Sequence, residues 1–222
     1  MKKHYLLTFL LFLLFIGFPL LSTLYAQEKE QQPALQNRLA VSLLKWLDPV
    51  NPGIDLTWER MTDSRRSVQF NLGLMRDPIH ITPFEQYRGF AGGIERKWYK
   101  AEKKKNIHPY FALNLSFFKV NYDDQSNYTL NSNPPYLDTF SVDKQAISFS
   151  GKAGWQIRSN RFFLDLSFGF GFKYKSTNRS GVNNPGAMEL KPIDPNVYYS
   201  ASKPGKSILP TIPVNIRFGV LF

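Results

Sequence analysis

The stretch Arg161–Lys175, RFFLDLSFGFGFKYK, constrains this chain more than any other segment. Phe162, Leu164, Leu166, Phe168, Phe170, Phe172 and Tyr174 fall on one side of an extended chain. Phe163, Asp165, Ser167, Gly169, Gly171 and Lys173 fall on the other. An unbroken period of two specifies a β-strand, because a helix would scatter these apolar residues around its whole circumference. A face built from phenylalanine and leucine must also be covered by something other than water.

The same pattern recurs. In QAISFSGKAGWQIR, Ile147, Phe149, Gly151, Ala153, Trp155 and Ile157 alternate with polar or small residues, and only Ser159-Asn160-Arg161 separates this segment from the first. The two read as a hairpin. IDLTWER, SVQFNLGLM, YRGFAGGIERKWY and IHPYFALNLSFFKVNY are further strands, and PVNIRFGVLF places Val214, Ile216, Phe218, Val220 and Phe222 on one face. NRLAVSLLKWL is ambiguous, since Leu35, Leu39, Leu43 and Leu47 also suit a helix. An even strand number favours a strand here, with Leu39, Val41 and Leu43 facing outward.

Eight alternating strands with no second domain predict an all-β fold, an eight-stranded antiparallel up-and-down transmembrane β-barrel. Closure pairs the last strand with the first and removes the apolar edge. The mean hydropathy of −0.30 does not oppose a membrane span of this kind, because alternation dilutes the apolar content of each strand.

Residues 1–26 read as a cleaved signal peptide: Met1-Lys2-Lys3-His4, then an apolar run broken by Pro19, then Ser22–Ala26. Residues 27–36 read as a polar leader and 37–222 as the barrel. The expected location is the outer membrane of a gram-negative bacterium. There is no cysteine, which excludes disulfides, thiol catalysis and Cys-based metal sites. Without Lys2 and Lys3 the 28 basic residues become 26, against 17 acidic, leaving a formal charge of +9. Anionic headgroups of outer-membrane lipids are the expected counterpart of that charge, and nucleic acid is not an expected partner of an exported chain.

Connection lengths orient the barrel. The links Met61–Arg66, Ala101–Asn106 and Ser159–Arg161 are short and read as periplasmic. Those at Asp48–Gly53, Arg76–Gln86, Asp123–Lys144 and Ser176–Ile212 are mostly longer and read as outer loops. Tyr128, Tyr136, Tyr198 and Tyr199 in these loops are candidate contacts for a surface glycan or protein partner. Trp58, Trp98, Tyr99 and Trp155 at one end, and Tyr122 and Tyr174 at the other, read as interfacial girdles. Arg65, Arg66, Lys97, Lys100, Lys103, Lys104, Lys105, Arg158 and Arg161 map to the periplasmic rim.

The alternation turns Asp55, Thr57, Glu59, Gln69, Asn71, Glu95, Lys97, Asn114, Ser116, Lys152, Gln156, Asp165, Ser167, Lys173, Asn215 and Arg217 into the lumen. The interior of eight strands holds little more than its own side chains. Buried charges there must pair. Asp55, Glu59, Glu95, Lys97, Lys152, Asp165, Lys173 and Arg217 are therefore the candidate lumen network, a plug that passes no ions. Gly73, Gly151, Gly154, Gly169 and Gly171 read as positions that relieve crowding or permit tight barrel curvature.

Taken whole, the pattern resembles the small eight-stranded outer-membrane barrels of the OmpA-domain, OmpX and OmpW type. NRLAVSLLKW, LTWERMTDSRRSVQFNLGL and GGIERKWY resemble more narrowly an uncharacterised outer-membrane family common in Bacteroidetes. The alternation Phe218, Val220, Phe222 is similar to the C-terminal assembly signal of outer-membrane proteins, which implies handling by the barrel-assembly machinery. The resemblance supplies no chemistry.

Among function classes, the leading expectation is a monomeric structural or surface-interaction protein. OmpW-like binding or passage of a small hydrophobic ligand is the alternative, and an outer-membrane enzyme is a more distant one. His80 and His108 should lie on opposite sides of the membrane, and no G-x-S-x-G or H-E-x-x-H pattern occurs. No catalytic residue, metal site or cofactor is assigned.

Overall fold

In the computed structural model the described residues are 37–48, 51–77, 82–100, 106–129, 134–181, 188–190 and 203–222. The strands are β1 Asn37–Ser42, β2 Gly53–Asp63, β3 Arg66–Arg76, β4 Glu85–Tyr99, β5 Ile107–Thr129, β6 Tyr136–Ser159, β7 Phe162–Ser180, β8 Met188–Glu189, β9 Gly205–Thr211 and β10 Val214–Leu221. Neighbours β1 to β7 pair antiparallel in sequence order. β10 then pairs with both β7 and β1, which closes a ring of eight. β8 and β9 lie off that ring, β8 on β5 and β9 on β7 above β10.

The alternating faces land as the sequence predicts. Leu72, Leu74, Phe90, Phe149, Phe170 and Phe172 are exposed on the outside. In water this band would be an aggregation surface; against acyl chains it is the favoured arrangement. Trp58, Trp98 and Trp155 face outward toward the short-turn end and stack on Phe70, Phe111 and Phe168.

Two predicted loops are in part ladder among the described residues. The Asp123–Lys144 link is the top of a long hairpin, paired from Ile107↔Ile157 up to Tyr128↔Tyr136. The reason is a change of chemistry without a change of phase. On β6 the outward residues below Gln145 run Ile147, Phe149, Ala153 and Trp155, whereas above it they are Leu137, Thr139, Ser141 and Asp143. The inward residues reverse as well: Val120, Tyr122, Tyr128, Phe140 and Val142 pack with Met75, Phe84 and Tyr87 in an apolar core. Polar outside and apolar inside is the pattern of a water-soluble sheet, so this reversal marks where the lipid band ends. Lys119 and Asp143 form an ion pair on that wet outer surface at 3.2 Å.

The Ser176–Ile212 link likewise contains β8, β9 and the upper end of β7. β9 and β10 both pair with β7, and Ile212-Pro213 lies between them. Proline carries no amide hydrogen, so the ladder breaks there.

β1 is shorter than expected. It ends at Ser42, Leu43 caps a 3-10 helix over Leu44–Leu47, and the β1–β10 ladder runs only from Arg38↔Leu221 to Ser42↔Arg217. Leu39 and Val41 do face outward. Above this level the seam between β10 and β2 is occupied by the 3-10 helix instead of a strand.

Candidate functional site

The lumen is layered. Near the short-turn end, inward side chains from strands all round the ring converge on Glu59 and Lys97. Arg38 Nη1 donates to Glu59 Oε1 at 2.7 Å, and the Tyr99 hydroxyl and Ser67 Oγ donate to the same oxygen at 2.6 Å. Lys97 Nζ donates to Glu59 Oε2 at 3.1 Å and to Asp165 Oδ2 at 2.5 Å. Tyr110 donates from its hydroxyl to Asp165 Oδ1 at 2.5 Å. Every one of these side chains is buried. Gly154 leaves room for the tyrosine: a Cβ there would lie 2.5 Å from the Tyr110 ring.

Next comes Glu95, which serves two nearby cations and a more distant third. Lys152 Nζ donates to its Oε2 at 2.6 Å, Arg217 Nη2 stands 3.7 Å from that oxygen, and Lys97 Nζ is 4.0 Å from Oε1. Six of the eight predicted network residues are thus brought together: Glu59, Glu95, Lys97, Lys152, Asp165 and Arg217. Asp55 and Lys173 are not in it; they line a cavity above it.

That cavity, about 430 Å³, is bounded by Asn71, Asn114, Ser116 and Ser148 on the barrel wall and by Lys45, Asp48 and Asn51 at the seam. It exists because inward positions at this height are small, among them Gly73, Ala91, Ser116 and Ser148. A Cβ on Gly73 would collide with Asp55 Oδ1, so only glycine leaves that carboxylate its place.

Higher still, beyond the lipid band, Lys144 donates to Asn51 Oδ1 at 3.1 Å and lies over the Phe118 ring. Burial, reinforced by Lys173 and Lys175, pushes its ammonium down to about 7.

Several assignments need correcting. Tyr99 and Tyr122 are not girdle residues: both point inward, Tyr99 to Glu59 and Tyr122 into the upper apolar core. Lys97 is not at the rim but wholly buried. Arg158 turns inward too, donating to Gln156 Oε1 and lying over the Tyr99 ring. Tyr128 is not a loop contact; it is a buried strand residue, its ring 6.2 Å from that of Tyr136, which opens β6. Tyr198, Tyr199, His80 and Lys103 to Lys105 lie outside the described residues. The residues missed are Arg38, Ser67, Tyr99 and Tyr110. Parity was the available signal, since Arg38 precedes outward Leu39, Tyr110 precedes outward Phe111, and Tyr99 shares the phase of Glu95 and Lys97.

No protein-family model matches the chain. No curated protein matches it either. Among solved structures it is similar to the N-terminal β-barrel domain of Pseudomonas aeruginosa OprF, at 10% identity over 86% of this chain and 100% of that one, with a TM-score of 0.39. It is similar also to a major outer membrane protein from Thermus thermophilus, at 12% identity with the same two coverages and a TM-score of 0.38. The architecture stands on the closed hydrogen-bonded ring and on the outward apolar band.

Proposed function

We propose that this is an outer-membrane barrel, exported behind a cleaved signal peptide and assembled by the barrel-assembly machinery, whose lumen is sealed and whose role is structural or surface interaction at the outer loops. The observation that carries the reading is the ion network around Lys97, which ties β1, β2, β4 and β7 together across the lumen. Eight strands enclose an interior only wide enough for side chains to fill, and these buried, mutually paired side chains fill it at this level. Planar-bilayer recording tests the sealed state: pure refolded protein should give no steady unitary current, and regular large openings would overturn it.

The raised β5–β6 hairpin, with its polar outer surface, supports a contact role, since function varies most readily on segments held by a rigid scaffold. Outer-surface glycans or proteins are the proposed partners, with outer-membrane lipids around a monomeric barrel. No enzymatic role is proposed. The motifs shared with the uncharacterised Bacteroidetes family support a place beside it. The cavity above the plug favours ligand binding as a second reading, without passage through the barrel. Its polar lining suits a charged ligand better than a purely hydrophobic one.

A further inference from the structure

The most unusual group in the lumen is the Arg217 guanidinium. It is 4% exposed, its Nη1 has no hydrogen-bond partner, and its nearest carboxylate oxygen, on Glu95, is 3.7 Å from Nη2. That oxygen is already taken by Lys152 at 2.6 Å. The Arg217 Nη1 has thus given up the hydrogen bonds that water would supply, and only the 3.7 Å ion pair between Nη2 and Glu95 offsets that loss. Arg217 borders the cavity, as do Lys45, Lys152 and Lys173; the acidic side chains on the same lining are Asp48 and Asp55. Lys45 and Asp48 lie 3.5 Å apart. The lining therefore carries four cations against two carboxylates.

We propose that this cavity binds a phosphate-type oxyanion. The unpartnered Nη1 of Arg217 would donate to one of its oxygens, and Lys173 would lie within its field. Asp55 sharpens the chemistry. Asp55 lines the same space and its Oδ1 is buried without a hydrogen-bond partner, so a ligand that presents a donor as well as acceptors suits the site. A monohydrogen phosphate, or a phosphate carried beside a sugar or glycerol hydroxyl, has both. A bare carboxylate has no such donor. Serine and asparagine side chains of Ser116, Ser148, Asn71 and Asn114 complete a polar wall of either hydrogen-bonding sense.

Such a phosphate has two sources: free in solution, or carried by a lipid headgroup at the seam. There Ile212, Pro213 and Val214 border the cavity where β1 has already ended.

The test uses the full-length mature barrel refolded in dodecyl maltoside, titrated calorimetrically with inorganic phosphate and, separately, with phosphatidic acid in mixed micelles. Maltoside alone is the uncharged control. Saturable binding in either titration is expected. Binding of inorganic phosphate identifies a free-ion site, and binding of phosphatidic acid alone identifies a headgroup site. Arg217→Gln should weaken binding at least tenfold. Because Arg217 also faces Glu95, that variant risks misfolding, so Lys173→Gln provides the second reading. Lys173 belongs to no ion pair of the plug among the described residues, and its loss should weaken binding several-fold while thermal unfolding stays unchanged. No binding of either phosphate, or affinities unchanged in a folded Arg217→Gln or Lys173→Gln barrel, would overturn the proposal. The sealed lumen does not depend on this outcome, since it is read from conductance alone.

Discussion

Lys97 on β4 and Asp165 on β7 meet across the lumen, Nζ to Oδ2 at 2.5 Å, although three strand-to-strand steps separate them round the ring. Both are buried, and Glu59 joins the same ammonium at 3.1 Å. Nothing apolar could hold those two carboxylates near one another.

Lys97→Met follows directly. It leaves Glu59 with Arg38 and Asp165 with Tyr110, but removes the cation they share, a loss of about 3–5 kcal/mol for breaking a buried pair. Denaturant unfolding in micelles, followed by tryptophan fluorescence, measures it. A change below about 1 kcal/mol would mean that the network is not what ties the wall together.

The Tyr110 hydroxyl donates to a buried carboxylate. Tyr110→Phe removes only that oxygen and keeps the ring. A hydrogen bond to a charged group is worth about 1.5–3 kcal/mol, and the same unfolding experiment should show a loss in that range.

The position of the lipid boundary is checked by paired arginine substitutions. Phe170 sits on the outward apolar band; Leu137 faces outward above it, on the polar part of β6. Phe170→Arg should cost about 2–4 kcal/mol and Leu137→Arg about 0–1 kcal/mol, following the depth dependence of arginine on a barrel's lipid face. Equal costs at the two sites would contradict the boundary at Gln145.

Phe140 is 1% exposed in the apolar core of the raised hairpin, with the Arg179 guanidinium over its ring. Phe140→Ala should cost about 3–5 kcal/mol locally and open the hairpin top to protease. The lipid-embedded ring below it should stay intact on the same gel, because the upper apolar core shares no side chain with the buried cluster of Met61, Tyr99, Tyr110 and Ala112 near the short-turn end.

Lys144 gives a pH dependence. Its folded value lies near 7, below the ordinary lysine value of 10.5, because burial and the neighbouring Lys173 and Lys175 disfavour its charge; Asp48 opposes them and Lys45 adds to them. Between those two pH values the unfolded chain binds a proton that the folded chain does not, so stability rises as pH rises from about 7 towards 10 and is level below 7. Lys144→Met should flatten that rise in thermal unfolding profiles. An unchanged slope would show that Lys144 is charged throughout.

Period two was written in the chain from the start. The phase at Phe162–Tyr174 and Ile147–Ile157 fixes which residues face lipid and which face inward, and tight linkers fix antiparallel neighbours. Parity is a local property, so the side of each residue, even Arg38 and Tyr110, follows from the sequence alone. Height is not local. Which inward charges meet depends on how far each strand is staggered against the next as the ring closes, and that shear accumulates over all eight strands. For that reason Lys97 found Asp165, while Asp55 and Lys173 were left facing a cavity. Only the structure, too, showed that the ladder continues above the lipid band, because the polar outward residues there read as loop until their inward partners pack into one core.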